Sequence, residues 1–222
     1  MLPLFTKAFL RGAWRRNRSG AEHDRWLDKW MPLIQERAST GPVLELGCGV
    51  GEDTEMLTRA GHRVIAIDLS ADAISKARLR VPSTEFHCQD LRDPFPVGAQ
   101  DVGMIVASLS LHYFGWAQTL EIVQRIRQTL RPSGVLLCRF NSTNDRNFGA
   151  VGHSVIDQNF YLVHGEPKRF FDRPSVLAAF ADGWRFLSLE ETASHRYVLR
   201  KVVWEAAIER VDTKDDATSV AS

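Results

Sequence analysis

Along this chain, short runs of continuous apolar residues alternate with amphipathic stretches, which predicts strands and helices in succession. Val43–Leu46, Arg63–Ile67 (RVIAI), Thr84–Cys88, Val102–Ala107 (VGMIVA) and Val135–Phe140 (VLLCRF) read as strands. The runs VIAI, VGMIVA and VLLC within them are continuous and apolar, as expected of a parallel sheet covered on both faces. Between them, Glu52–Ala60 reads as a helix closed by Gly61, and Ser70 caps a second that runs to about Arg80 before Pro82. A third helix, Trp116–Leu130, is expected to turn Leu120, Val123, Ile126 and Leu130 inward, and Arg131-Pro132-Ser133-Gly134 breaks it. Upstream, Ser19 and Glu22 form a capping-box pattern. Trp26, Trp30 and Ile34, with Leu27 and Met31, share one face of the helix it opens, and Thr40-Gly41-Pro42 ends that helix. After Phe140 the rhythm lapses for about thirty residues, far beyond an ordinary loop. It resumes with a helix at Pro174–Ala181 and strands at Trp184–Glu190 and Lys201–Ile208, which look like an edge hairpin. The fold class is therefore α/β, a doubly wound and mostly parallel sheet with helices on both faces.

Composition narrows the class. The 222 residues, 44% hydrophobic and 25% charged, suit one globular domain. With 28 basic and 27 acidic residues the net charge is +1, so whole-chain attraction to nucleic acid or to an acidic membrane is not expected. No run of apolar residues is long enough to span a bilayer. Cys48, Cys88 and Cys138 are far apart and form no metal-ligand cluster; they read as reduced, buried small hydrophobes in a cytoplasmic protein. The N-terminal stretch differs: Lys7, Arg11, Arg15, Arg16 and Arg18 precede the first acid, Glu22, and Phe5, Phe9 and Trp14 lie among them. A transit peptide or membrane-surface helix has this composition, and so has a leader that folds over the core or a ligand. Lys7 interrupts any secretory pattern. The expected division is a leader and lid helix over 1–38, one domain over 39–211 with a cap-like insertion at about 141–173, and a disordered tail over 212–222.

The chemistry gathers where strands end. The first strand runs into Glu45-Leu46-Gly47-Cys48-Gly49-Val50-Gly51, whose alternating glycines let backbone N–H groups approach a ligand closely. A dinucleotide fingerprint would place its third glycine where Glu52 stands, and a pyrophosphate would be repelled by that acid. No Gly-Lys-Ser/Thr follows, so a phosphate-cradling P-loop is also excluded. The turn suits a nucleoside without phosphates. Asp68, at the end of the second strand and seventeen positions after Gly51, can accept both ribose hydroxyls in charge-assisted bonds of about 1.5–3 kcal/mol each. Asp90, after the third strand, is placed to accept from an adenine amine while Leu91 packs the base; the alternative is a loop-solvating acid.

VLELGCGVG (43–51), IAIDLS (65–70), CQDL (88–91), DVGMIVASLSLHYF (101–114) and LRPSGVLLCRF (130–140) resemble the successive motifs of class I S-adenosylmethionine-dependent methyltransferases, in order and spacing. The resemblance implies a Rossmann-like, seven-stranded sheet of order 3-2-1-4-5-7-6 with the last strand antiparallel. It implies S-adenosyl-L-methionine as cofactor, no metal, and S-adenosyl-L-homocysteine as product. It places Glu45, Gly47, Gly49 and Gly51 at the methionine end, Asp68 on the ribose and Asp90 on the adenine, with Cys48, Leu69 and Leu91 beside them. Ser108 and Leu109 fall on the floor beneath the sulfonium, and Glu52 and Thr54 match as well. The reaction implied is in-line displacement by an oxygen, nitrogen, sulfur or carbon nucleophile. Positioning can supply about 7–11 kcal/mol of such a barrier and a general base about 10²–10⁴-fold, so the want of an obvious base does not count against activity.

His112 and Asn141 are the candidate catalytic residues, and His112 could equally pack or cap the next helix. Tyr113, Arg139, Tyr161, Lys168 and Arg169 are candidates for the acceptor. The stretch 141–173 also contains His153, His164, Phe170 and Phe171. Lys168 and Arg169 beside two phenylalanines could hold a carboxylated or flat small molecule, or form a solvated pair beside core aromatics. His195-Arg196-Tyr197 could reach the same pocket, and the Trp26/Trp30 helix could close over the cofactor. Nucleic acid is disfavoured as acceptor: Ser108-Leu109-Ser110-Leu111 stands where base-amine methyltransferases carry an Asn/Asp-Pro-Pro-aromatic turn, and no Cys-Pro nucleophile is present. The rival functions are a nicotinamide oxidoreductase, a non-catalytic S-adenosylmethionine-binding sensor or scaffold, and an RNA or protein methyltransferase.

Overall fold

The computed structural model describes residues 25–96, 98–194 and 199–212. The basic leader, the Ser19/Glu22 capping pattern, the His195-Arg196-Tyr197 link and the tail beyond Asp212 lie outside the described residues.

Seven strands, β1 (Val43–Leu46), β2 (Val64–Asp68), β3 (Glu85–Cys88), β4 (Val102–Ser108), β5 (Leu130–Asn141), β9 (Trp184–Ser194) and β10 (Lys201–Arg210), form one sheet. Its order is β3-β2-β1-β4-β5-β10-β9, with β10 antiparallel to both neighbours and the other pairings parallel. This is the expected order and hand of pairing. Adjacent strand residues point to opposite faces, and in the central strands β1, β2 and β4 both faces are buried, which is why these read as nearly continuous apolar runs, whereas the edge strands β3 and β9 are partly exposed. On one face Leu44, Leu46, Ile65, Ile105 and Leu136 meet the helices Trp116–Thr129 and Arg173–Ala179. On the other, Val43, Val64, Met104 and Leu137 meet Met31–Arg37, Glu52–Arg59 and Ala71–Arg80 through Ile34, Leu57 and Ile74.

Several local expectations need correction. In Trp116–Thr129 the inward stripe is Thr119, Ile122, Val123 and Ile126, spaced i, i+3, i+4, i+7, and Leu120 at its flank is exposed. Strand β5 starts at Leu130 rather than Val135, because Arg131–Gly134 bulge out while Leu130 already pairs with Val102. Cys88 is exposed at the open end of β3, whereas Cys48 and Cys138 are buried. In the described part of the lid segment, Trp26 and Leu27 lie in a turn, Asp28–Trp30 forms a 3-10 turn and the helix proper is Met31–Arg37; the segment belongs to the core, with Leu27 and Ile34 fully buried.

The stretch after β5 is not irregular. It holds a second, antiparallel sheet of β6 (Ser154–Asp157), β7 (Phe160–Val163) and β8 (Glu166–Arg169). His164 and Gly165 turn β7 into β8, both with positive φ (53° and 89°), as a two-residue hairpin turn requires. The cap is tied back where it leaves and returns: Phe171 N–H donates to the Asn141 carbonyl (2.7 Å), and Thr143 N–H to that of Phe171 (3.0 Å). That tie suspends the cap over the C-terminal ends of β1, β4 and β5, where doubly wound sheets bind ligands.

Candidate active site

The turn after β1 is built by its neighbour strand. Gly47 and Cys48 donate their N–H groups to the Ile67 carbonyl (2.8 and 3.0 Å), so the chain curls over the end of β2. Gly47 has φ 76°, and a Cβ there would lie 2.4 Å from the Ser110 Cβ, so only glycine lets this turn approach the loop after β4. Asp68 then fixes the turn from the side: its Oδ2 accepts from Gly49 N–H (2.8 Å) and its Oδ1 from Ser70 N–H (2.9 Å). A carboxylate has room for about four such bonds, so lone pairs remain for a ligand's hydroxyls.

Glu45, buried within β1, accepts from the Thr54 hydroxyl at 2.5 Å. Asp53 accepts from the Trp26 indole (3.0 Å). Asp90 is held by the Arg92 guanidinium (3.0 and 2.6 Å), which keeps its carboxyl below the usual carboxylate range. Burial, with Glu45 and Asp68 nearby, pushes the Cys48 thiol far up, so it stays protonated and is no nucleophile.

These groups open onto one cavity of about 1040 Å³. Glu45, Gly47, Cys48, Gly49, Asp68, Leu69, Asp90, Leu91 and Ser108 line one part of it, and Glu52 and Leu109 join them. His112, Tyr113, Asn141 and Lys168 line the part beneath the cap. The volume is at the upper end of small-ligand sites, enough for two small molecules side by side.

Several residues singled out from the sequence lie off this wall, Gly51, Arg139, Tyr161 and Arg169 among them. Gly51, in the left-handed region (φ 80°), starts the next helix and packs on Ala77. Arg139 is buried beneath the floor: its Nε and a terminal nitrogen both donate to the Ser108 hydroxyl (3.0 and 2.8 Å), and the guanidinium lies 4.5 Å from the Trp26 ring centre. Its place is under Ser108, not beside an acceptor. Tyr161 packs edge-on against Phe170. Arg169 is buried by a different task, donating to the Phe114 and Gln158 carbonyls (3.2 and 3.1 Å) while stacked 4.8 Å from Phe160. It bolts the cap to the loop after β4. Among the lining residues that had not been singled out for the site are Asp53, Ser110, Gln118 and Lys201. Only Asp53 had a local signal, as an acid in the first turn of the helix after the glycines.

His112 is buried, with Nδ1 unpartnered, and burial together with Lys201 and Lys168 drives its pKa well below the ordinary 6.5. The native imidazole is therefore neutral, while the unfolded one takes up a proton below about pH 6.5. Stability contributed at neutral pH is lost as pH falls from there, at up to about 1.4 kcal/mol per unit. Urea unfolding of wild type and His112→Gln at pH 7 and pH 5 checks this: the variant should lose less on acidification, and equal losses would contradict it.

Among the described residues no three His, Cys, Asp or Glu side chains cluster to hold a metal ion, and no helix is long and apolar enough to cross a membrane. Residues 43–134 match the family model of a methyltransferase domain. The chain is 35% identical over 131 residues to trans-aconitate 2-methyltransferase of Delftia acidovorans, covering 58% of this chain and 45% of that one. It is 29% identical over 154 residues to the tRNA 5-carboxymethoxyuridine methyltransferase of Escherichia coli, covering 63% and 56%. The chain spans about half the length of the curated relatives it matches. In fold it is similar to the 1,6-didemethyltoxoflavin N1-methyltransferase of Burkholderia thailandensis, solved with S-adenosylhomocysteine, at TM-score 0.61 and 18% identity over 94% of this chain and 88% of that one. With a glycine turn braced by a strand-end aspartate, the matching strand order and these likenesses together, residues 43–134 are a methyltransferase domain, and the fold is that of class I S-adenosylmethionine-dependent methyltransferases.

Proposed function

We propose that the protein moves a methyl group from S-adenosylmethionine to a small-molecule acceptor. The observation that carries this reading is the continuity of the cavity: the end lined by Glu45, Gly49 and Asp68 runs without interruption into the end lined by His112, Asn141 and Lys168. Glu45 and the turn 47–49 would hold the methionine part, Asp68 with Leu69 the ribose, and Asp90 with Leu91 the adenine. The bound cofactor supplies a sulfonium methyl, whose C–S bonding pair returns to sulfur as the acceptor's nucleophilic atom bonds to the carbon.

The chain's own contribution is positional. Ser108, held from below by Arg139, forms the floor between the two ends. Asn141, buried with its Oδ1 unpartnered, is placed to orient an acceptor heteroatom. Neutral His112 can donate or accept a hydrogen bond but is a weak base, so alignment dominates over proton removal. Trp26 braces the cofactor end from outside the cavity through Asp53 and Arg139. Any part the leader plays in closing the site lies outside the described residues.

Calorimetry with S-adenosylmethionine, S-adenosylhomocysteine and NAD tests the cofactor: the first two should bind and NAD should not. Release of S-adenosylhomocysteine in the presence of pooled small-molecule metabolites, and not of transfer RNA, tests the acceptor class. Binding without release in any pool would favour a sensor over an enzyme.

A further inference from the structure

We propose that the acceptor bears a carboxylate, and that it is seated between the ammonium groups of Lys168 and Lys201 at the cap end of the cavity. This rests on the methyltransferase reading of the site and names the chemistry its acceptor must have. Lys168 comes from β8 of the cap and Lys201 is the first residue of β10, so two separate sheets each deliver one cation to the same wall. Both are buried, at 7% and 5% exposure. Placing two ammonium groups this deep costs several kcal/mol each unless something negative meets them.

The atoms around them are hydrogen-bonding groups without a partner. His112, Asn141 and Ser110 line the same cavity, and their Nδ1, Oδ1 and hydroxyl are buried with no hydrogen-bond partner among the described residues. Each unmet group of this kind costs about 1–3 kcal/mol, which a ligand's polar atoms would recover. The Ser110 hydroxyl and a neutral imidazole can donate, and with two ammoniums this makes an end rich in donors, while Asn141 Oδ1 can accept from a protonated heteroatom elsewhere on the guest. Such an end accepts an oxyanion and repels an amine cation. Tyr113 and Phe148 lie 5.8 and 5.0 Å from the two ammonium nitrogens and give the acceptor's body apolar surface.

The counter-ions set the charge of the guest. Lys201 is paired with Asp145 inside the protein (3.2 Å). Lys168 is paired with Glu166 (3.2 Å), whose side chain is 65% exposed and can swing into water at little cost. One displaceable carboxylate makes room for one incoming negative charge. A monoanionic carboxylate matches it, whereas a phosphate dianion would be left with charge unmet.

Saturation-transfer NMR and calorimetry on the full chain loaded with S-adenosylhomocysteine test this, using benzoate, phenylacetate, cinnamate and hexanoate, their amides, and phenyl phosphate. At least one acid should bind ten or more times as tightly as its amide and as phenyl phosphate. Lys168→Gln and Lys201→Gln should each weaken that acid at least tenfold and leave S-adenosylhomocysteine affinity within about twofold. Lys201→Arg should restore binding. Because Lys201→Gln strands Asp145, the double variant D145N/K201Q, checked by its melting curve, serves if the single one does not fold. No acid preferred over its amide, a preference for phenyl phosphate, or unchanged acid binding in the folded glutamine variants would overturn the proposal. Failure of wild type to bind S-adenosylhomocysteine at all would instead overturn the methyltransferase reading beneath it.

Discussion

Asp68→Ala should reduce S-adenosylhomocysteine affinity by about 10²–10⁴-fold, the equivalent of two charge-assisted hydrogen bonds at about 1.5–3 kcal/mol each. The carboxylate has two tasks. In the protein alone it already accepts from Gly49 and Ser70, and so sets the position of the glycine turn relative to β2. With a nucleoside present, its remaining lone pairs would take the ribose hydroxyls. Alanine removes both, leaving the Gly49 N–H without its acceptor at the rim of the cavity. Asp68→Asn keeps the shape and one acceptor oxygen, so it should lose less than alanine does. Calorimetry gives the affinities and thermal melting shows that the variants are folded. Folded Asp68→Ala with near-wild-type affinity would remove the basis for placing the cofactor here.

The largest expected effect on stability comes from Gly103→Ala. Gly103 lies inside β4, and a Cβ there would sit 1.7 Å from the Arg37 carbonyl oxygen and 2.8 Å from its carbon. That carbonyl ends the helix Met31–Arg37 and accepts from the Arg131 guanidinium (2.9 Å). Backbone meets backbone, so no side chain can swing aside. Either β4 or the end of the helix must move, and the cost should reach about 3 kcal/mol or more. Gly41→Ala, with nothing within 4 Å, is the control and should be near neutral. The two variants compared by urea unfolding decide the matter: equal midpoints would mean that the helix does not pack on β4 as described. Because Trp26, on the same segment, holds Asp53 at the cavity wall, Gly103→Ala should also weaken the cofactor end.

What could be read in advance follows a physical divide. The glycine turn, Asp68 and Asp90 are signalled by their nearest neighbours in the chain, since a strand end, a tight turn and a helix start are all local. The seven-strand order was accessible only through resemblance, because edge pairing such as Val203 with Asn141 leaves no local trace. Arg139 and Arg169 went astray for one reason. A guanidinium near an apolar run reads as a hand held out to a ligand, but here Trp26 and Phe160 cover the two groups, the Ser108 hydroxyl holds Arg139, and the Phe114 and Gln158 carbonyls hold two nitrogens of Arg169. The cap strands escaped notice because each has four residues and β6 is exposed throughout, so burial imprints no alternation on it.

The sequence by itself determined the cofactor half of this protein: apolar runs that must be buried on two faces, glycines where side chains cannot fit, and an acid at the end of the second strand. At the cap end the sequence offered His112, Tyr113, Asn141 and Lys168, and only the tertiary structure decided what they meet there. Lys201 and Asp145 are 56 positions apart, and Lys168 reaches the same wall from another sheet. The energy of such a cluster depends on burial and on distances between remote elements, and those exist only once the cap has been tied down over the ends of β4 and β5.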